Sequence, residues 1–354
     1  MSPAAVGSAG KGLADRLVLP GLTAWQQRAF EHAGSALDAG HFGHATLVVG
    51  PALLGKRVLA EHLAQRVLCL SPRGDGQACG SCKSCLLFAS RSQYDPLETR
   101  PDGAPSHPWG HSAHPDLKFV GYEVNSKTGK PRAEIVIEQI RALSEAMTLT
   151  PQLGGAQVVI VDPTDAINWN AFNALLKTLE EPQPGRYLWL LSSNPARLPA
   201  TIRSRCQRLE LRLPPREESL QWLASRGHRG DLASEALDAA RGHPGLADAW
   251  AAGDGMALRR AVVQDLQALQ RGQAAPAELA QRWVADGRAD ERLRHLAEHA
   301  LQELAVQAAT GLTDPARTRR LAARFDAANR TRELLRSTVR ADLMVTETLL
   351  GWCG

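Results

Sequence analysis

The tightest constraint on this chain is a turn between an apolar strand and a helix. His44-Ala45-Thr46-Leu47-Val48-Val49 runs into Gly50-Pro51-Ala52-Leu53-Leu54-Gly55-Lys56-Arg57, and apolar residues then recur at helical spacing as Leu59, Leu63, Val67 and Leu68. A strand, a glycine-bounded loop and a helix in that order make a βα unit with the strand buried in a parallel sheet. This is also the setting of a phosphate loop, where backbone N–H groups at a helix N-terminus cradle anionic oxygens and a lysine reaches the terminal phosphates. Gly50, Gly55 and Lys56 fit that role. The next position should carry a hydroxyl for Mg²⁺ but holds Arg57, and a guanidinium cannot ligate a cation.

The rest of the first two hundred residues repeats the alternation. Helices are expected over Ala24–Ala39, on the face Ile137, Ile140, Leu143 and Met147, and over about Asp165–Glu181, where Pro182 stops the last one. Strands are expected at Asp116–Val120, Gln157–Val161, Arg186–Leu191 and Gln207–Leu213. Strands alternating with helices mean an α/β domain with a parallel sheet. Beyond Pro214-Pro215 nothing reads as a strand, and Gly253 to Gly255 marks a second boundary. The expected organisation is a disordered tail (1–20), an α/β domain (21–213), a small helical domain (214–255) and a helical C-terminal domain (256–354). A chain of 354 residues fits two or three domains at ~150 residues each.

With 44% hydrophobic and 22% charged residues the chain is of soluble globular type, and a net charge of +4 permits nucleic acid without arguing for it. No apolar run approaches the ~20 residues of a membrane helix. Met1 to Asp15 lacks a signal-peptide core, so the expected address is cytoplasmic.

Three further segments carry chemistry. The strand ending at Asp162 should continue with a glutamate to polarise an attacking water, but Pro163 follows. Cys69, Cys79, Cys82 and Cys85, spaced C-x9-C-x2-C-x2-C, suit a closed structural Zn²⁺ site within a module over 69–85. Ile202-Arg203-Ser204-Arg205-Cys206 offers exposed arginines, expected in extended chain with Arg203 and Arg205 on one face. By residue chemistry alone Arg205 is a solvated surface group or a donor to a phosphoryl group. Residues 91–112, rich in Pro, Ser, His and Gly, read as an exposed insertion without an assigned role.

Together these segments resemble the AAA+ clamp-loader family of bacterial DNA polymerase III, on its delta-prime branch. The likeness spans nearly everything after residue 20. It is sharpest at Asn173-Ala174-Leu175-Leu176-Lys177-Thr178-Leu179-Glu180-Glu181-Pro182, at Ser204-Arg205-Cys206, at Leu149-Thr150-Pro151-Gln152-Leu153-Gly154-Gly155 and at the four cysteines. The motor subunit, gamma or tau, shares the cysteine module and the Ser-Arg-Cys motif. Arg57, Pro163 and Gly245, the last where the motor has a nucleotide-sensing arginine, separate the two.

The resemblance implies an AAA+ module with a zinc module, a helical lid and a C-terminal collar. It implies a pentamer with gamma/tau and delta subunits that opens a sliding clamp and closes it around primed DNA. Arg205 would then act in trans on ATP held by the neighbouring motor. The implied cofactor is structural Zn²⁺; nucleotide binding at Lys56 stays open, and hydrolysis is not expected. Two other readings stay open as well: an active motor ATPase, and a zinc-stabilised nucleic-acid-binding protein with a vestigial phosphate loop.

Overall fold

The computed structural model describes residues 17–125, 129, 131–309, 314–335 and 339–353. The tail expected over 1–20 therefore lies largely outside the described residues. The chain divides after Leu213 into two compact units.

The first unit is built on a five-stranded sheet of β1 (Ala45–Val49), β2 (Leu117–Val120), β3 (Gln157–Val161), β4 (Arg186–Ser192) and β5 (Gln207–Glu210). The strand order is β2-β3-β4-β1-β5, and every pair is parallel. β1 and β3 are buried throughout because both sheet faces are covered. Leu47, Val49, Val159 and Val161 pack with Ile140, Leu143, Phe172 and Leu175 on one face. Val48, Val158, Ile160 and Trp189 pack with Phe30, Leu59 and Leu63 on the other. The helices concerned are α1 (Ala24–Asp38), α2 (Lys56–Leu68), α3 (Lys83–Ala89), α4 (Ile137–Thr148), α5 (Trp169–Glu180) and the single turn α6 (Ala200–Arg203).

Local chemistry moves three boundaries. α2 starts directly from the glycine loop at Lys56, three residues before Leu59, the first of the apolar positions. The helix expected from Asp165 begins at Trp169, because Asn168 caps it by accepting from the Ala171 amide and residues 164–166 form a separate 3₁₀ turn. Arg203 ends α6 and Ser204 keeps a helical backbone, so the segment is not extended. At ~100° per residue, Arg203 and Arg205 lie on different sides of that turn.

Among the described residues the second unit has helices and no strand: α7 (Arg216–Ser225), α8 (Gly230–Ala239), α9 (Pro244–Ala252), α10 (Gly255–Gln270), α11 (Pro276–Ala285), α12 (Ala289–Ala309), α13 (Pro315–Leu334) and α14 (Ala341–Leu350). It holds two apolar cores, one around Leu223, Leu237 and Trp250, the other around Leu266, Trp283, Leu296 and Trp352. Among the described residues no helix is long and apolar enough to cross a membrane.

Candidate functional site

The loop from β1 to α2 turns on two glycines of positive φ. Gly50 and Gly55 have φ of 155° and 80°. A Cβ on Gly50 would lie 2.5 Å from the Leu211 carbonyl oxygen, and one on Gly55 would lie 1.8 Å from Gln26 Nε2. Gly50 is therefore required by space as well as by φ, and Gly55 by its φ. The Lys56 ammonium donates to Gly50 O (2.8 Å), Pro51 O (2.9 Å) and Ser193 Oγ (2.9 Å). Those contacts use all three of its protons. Burial lowers it to about 8, against the opposing pull of Asp162 and Asp165.

Arg57 does not project into solvent. It is buried, and its Nε donates to Glu61 Oε1 (3.0 Å), its Nη1 to Ser106 O (2.6 Å) and its Nη2 to His107 Nδ1. Its guanidinium lies 4.4 Å from the centre of the Phe119 ring and 5.6 Å from that of Trp109. The Nη1 also comes to 4.0 Å from Asp162 Oδ2, and Arg100 Nη2 reaches the same oxygen at 3.9 Å. Glu61, 0% exposed, accepts from Arg91 Nη2 (2.6 Å) and Trp109 Nε1 (2.8 Å) as well as from Arg57.

Most of these partners belong to residues 91–112, so the expectation of an exposed insertion holds for 94–97 and 101–105 but not for Ser106, His107 and Gly110. Ser106 and His107 are buried where Arg57 draws them against α2, and the buried Gly110 accepts at its carbonyl from Arg91 Nη1 (3.2 Å). Sequence reading also missed Asp165, whose carboxylate accepts from Ser192 Oγ (2.6 Å) and the Ser193 amide (2.7 Å), fixing the end of β4 beside Lys56. Only the acidic residue three positions after Asp162 hinted at it.

Cys69 caps the other end of α2. Its sulfur lies 4.0 Å from that of Cys82, the sulfurs of Cys79 and Cys85 lie 3.9 Å apart, and all four fall within 4.8 Å of one another. A tetrahedral ion with bonds of ~2.3 Å to sulfur requires S···S edges of ~3.8 Å, which these distances match. The amides of Cys79, Cys82 and Cys85 donate to the sulfurs of Cys69 (3.3 Å), Cys79 (3.3 Å) and Cys82 (3.4 Å). The Ser81 and Cys82 amides lower the Cys79 thiol to about 6. Cys82 is lowered too: burial opposes the shift, and the Cys85 and Leu70 amides outweigh it. Burial pushes Cys85 upward.

Arg205 lies just before β5. It donates to Thr201 O (3.0 Å) and pairs with Glu180 Oε1 at 2.7 Å, with its side chain 37% exposed. Ser204 is exposed, whereas Cys206 packs on the core, where burial raises its thiol to about 11. β5 runs parallel to β1 with Thr46 opposite Gln207 and Val49 opposite Glu210. Arg205 therefore stands at the start of β5 and the Gly50–Lys56 loop follows the end of β1. The register from Thr46 to Gly50 sets those levels at least four strand residues, ~13 Å, apart.

The parallel sheet and the glycine loop that carries Lys56 define the class: an α/β protein of the P-loop type, with Arg57 at the position where a phosphate loop carries a hydroxyl. A family model described as "DNA polymerase III, delta subunit" matches residues 25–215, more than half the chain. The delta-prime subunit of Pseudomonas aeruginosa DNA polymerase III is 38% identical over 263 residues, which cover 73% of this chain and 70% of that one. The Escherichia coli delta-prime subunit is 30% identical over 243 residues, 68% of this chain and 64% of that one. A gamma-subunit-related protein of Thermotoga maritima superposes with a TM-score of 0.45 at 16% identity, covering 91% of this chain and 97% of that one. The chain belongs to the delta-prime family of DNA polymerase III, the clamp-loader family.

Proposed function

We propose that this chain is the clamp-loader subunit that hydrolyses no ATP itself and completes the active site of a neighbouring motor. The observation that carries this is the placement of two arginines. Arg57 is locked into the protein where a Mg²⁺ ligand is needed, and Arg205 stands exposed at the opposite level of the sheet. Arg205 is too far from its own loop to act there, so a phosphate it contacts belongs to another subunit.

The chain's place is in a hetero-pentamer with gamma/tau and delta subunits, loading the sliding clamp onto primed DNA in the cytoplasm. Residues 214–255 serve as the lid and 256–354 as the collar. Gly245, in the first turn of α9, has no side chain with which to sense nucleotide. Cys69, Cys79, Cys82 and Cys85 hold Zn²⁺, which supplies a fixed tetrahedral junction to an excursion too polar to build its own core.

Arg205→Ala in the assembled loader is the test. Folding and assembly should persist, since an exposed arginine contributes little to stability. Clamp-stimulated ATPase should fall by ~10-fold or more, less than for a single-site GTPase because several ATP sites contribute. Arg205→Lys should rescue poorly for want of the planar fork. Arg203→Ala, on another side of the turn, should behave as wild type. Clamp loading at the wild-type rate by assembled Arg205→Ala loaders would refute the finger, and ATPase by the isolated chain that Lys56→Ala abolishes would refute the non-hydrolysing role.

A further inference from the structure

The insertion enters and leaves through a two-residue antiparallel ladder, Arg91 with Ser112 and Ser92 with His111. Between these rungs the chain is bonded to itself. The Arg100 amide donates to Ala104 O (2.8 Å), Gly103 to Arg100 O (2.9 Å), Ser106 to Glu98 O (2.8 Å) and Gly110 to His107 O (3.0 Å). One face of this strap lies on α2 through Ser106, His107 and Trp109, while Arg100 reaches the Asp162 carboxylate.

We infer that this insertion is the resident occupant of the cation side of the degenerate nucleotide site, with the guanidinium groups of Arg57 and Arg100 meeting Asp162 in place of a metal ion. The inference rests on reading Lys56 and Asp162 as a vestigial nucleotide site, but not on the role of Arg205. Guanidinium groups carry permanent positive charge and no lone pair, so they answer the charge of Asp162 while offering nothing to a phosphate-bound Mg²⁺. With the Lys56 protons also committed to the protein, the site is satisfied without nucleotide.

Glu98, His107 and His111 bring three metal-ligand atoms together inside the strap, but their arrangement is that of a hydrogen-bonded stack. Arg57 can only donate to His107 Nδ1, so the proton of that ring sits on Nε2 and faces Glu98 Oε2 at 3.2 Å. The His107 and His111 rings overlap with centres 3.7 Å apart and planes 30° apart. Both Nε2 atoms are taken up by one acceptor, Glu98 Oε2, at 3.2 Å and 3.0 Å.

Hydrogen exchange on the full chain, with and without millimolar Mg²⁺ and ATPγS, tests the inference. The amides of Arg100, Gly103, Ser106 and Gly110 should be protected without nucleotide and unchanged by it. Arg57→Ala should speed their exchange at least ~10-fold and leave the cysteine module unaffected. Should that variant fail to fold, Arg100→Ala, whose side chain is 38% exposed, should still give an acceleration of ~3-fold. The inference falls if the strap amides of wild-type protein exchange as an open loop, if Mg²⁺–ATPγS alters their protection, or if the folded variant exchanges like wild type. It also falls if a second equivalent of Zn²⁺ binds and His107→Ala abolishes that binding. The finger is read by clamp loading and the strap by exchange, so either can fail alone.

Discussion

At its N-terminal end α2 meets Asp162 across two guanidinium groups; at its C-terminal end it meets four sulfurs at tetrahedral spacing. The two ends show different ways of settling a polar cluster inside an α/β domain. At the first, Arg57, Arg91 and Arg100 answer the carboxylates of Glu61 and Asp162. Where all four thiols remain, their spacing and inward-facing amides leave room for an ion. Buried charge requires compensation either way, and the residue at one position, Arg57, decides which form it takes.

The contrast is broken most severely at the cysteine end. Cys82→Ser should take bound Zn²⁺ from about one equivalent to less than half, removing an interaction worth ~10 kcal/mol in isolated modules. Exchange should become fast over residues 69–90 while β1, β3 and β4 stay protected. Loss of protection at Lys56–Leu59 as well would show that the two ends are not independent. At the other end, Glu61→Gln leaves Arg57 and Arg91 buried beside a neutral partner and should destabilise the first unit by ~3–5 kcal/mol, read from denaturant midpoints at constant m-value.

Acid sharpens the difference further. Burial and the nearby Arg57 charge hold His107 at about 4 in the fold, against 6.5 for a free imidazole. The unfolded chain therefore binds the proton first as pH falls, so the contribution is full above about 6.5 and lost as pH drops through about 4. The loss is at most ~3 kcal/mol. Glu98, at about 2 because hydrogen bonds from His107 and His111 outweigh its burial, adds a loss in the same direction below about 4.5. Exchange of the α2 amides in zinc-free Cys82→Ser protein isolates this titration from metal release, and His107→Gln should flatten it. The smallest effect belongs to Asp162→Asn. With two guanidinium groups 3.9–4.0 Å away, it should cost only ~1 kcal/mol by thermal melting, where a live metal site would lose nucleotide binding altogether.

Much of this was legible in the sequence, for reasons that differ from segment to segment. The Val158–Val161 run announces a strand buried on both faces, and the Asn173–Pro182 segment and the cysteine spacing are local patterns that survive without tertiary context. Arg57 was visible as a loss, but its destination was not. Ser106, His107 and Trp109 lie about fifty positions away in a segment whose prolines and glycines look like open loop. Burial there is imposed by partners distant in sequence, which periodicity cannot report. Arg203 was misplaced for a smaller reason: between two strands a single helical turn leaves no repeat to detect.

The two-residue ladder at Arg91–Ser92 and His111–Ser112 has a consequence for how such a segment is acquired. Because its ends are already held side by side, closing the loop between them costs only ~0.6 kcal/mol more for each doubling of its length. The host fold registers the junction and hardly registers the span. Chain can be added or trimmed around the exposed tip near Gly103 with little penalty, whereas Arg100, Ser106, His107 and Trp109 answer to fixed positions on α2 and β3. Relatives that carry a strap of another length should therefore keep an arginine and a hydrogen-bonding turn at the Asp162 side while the tip drifts, and those that lack the strap should have no buried arginine at position 57.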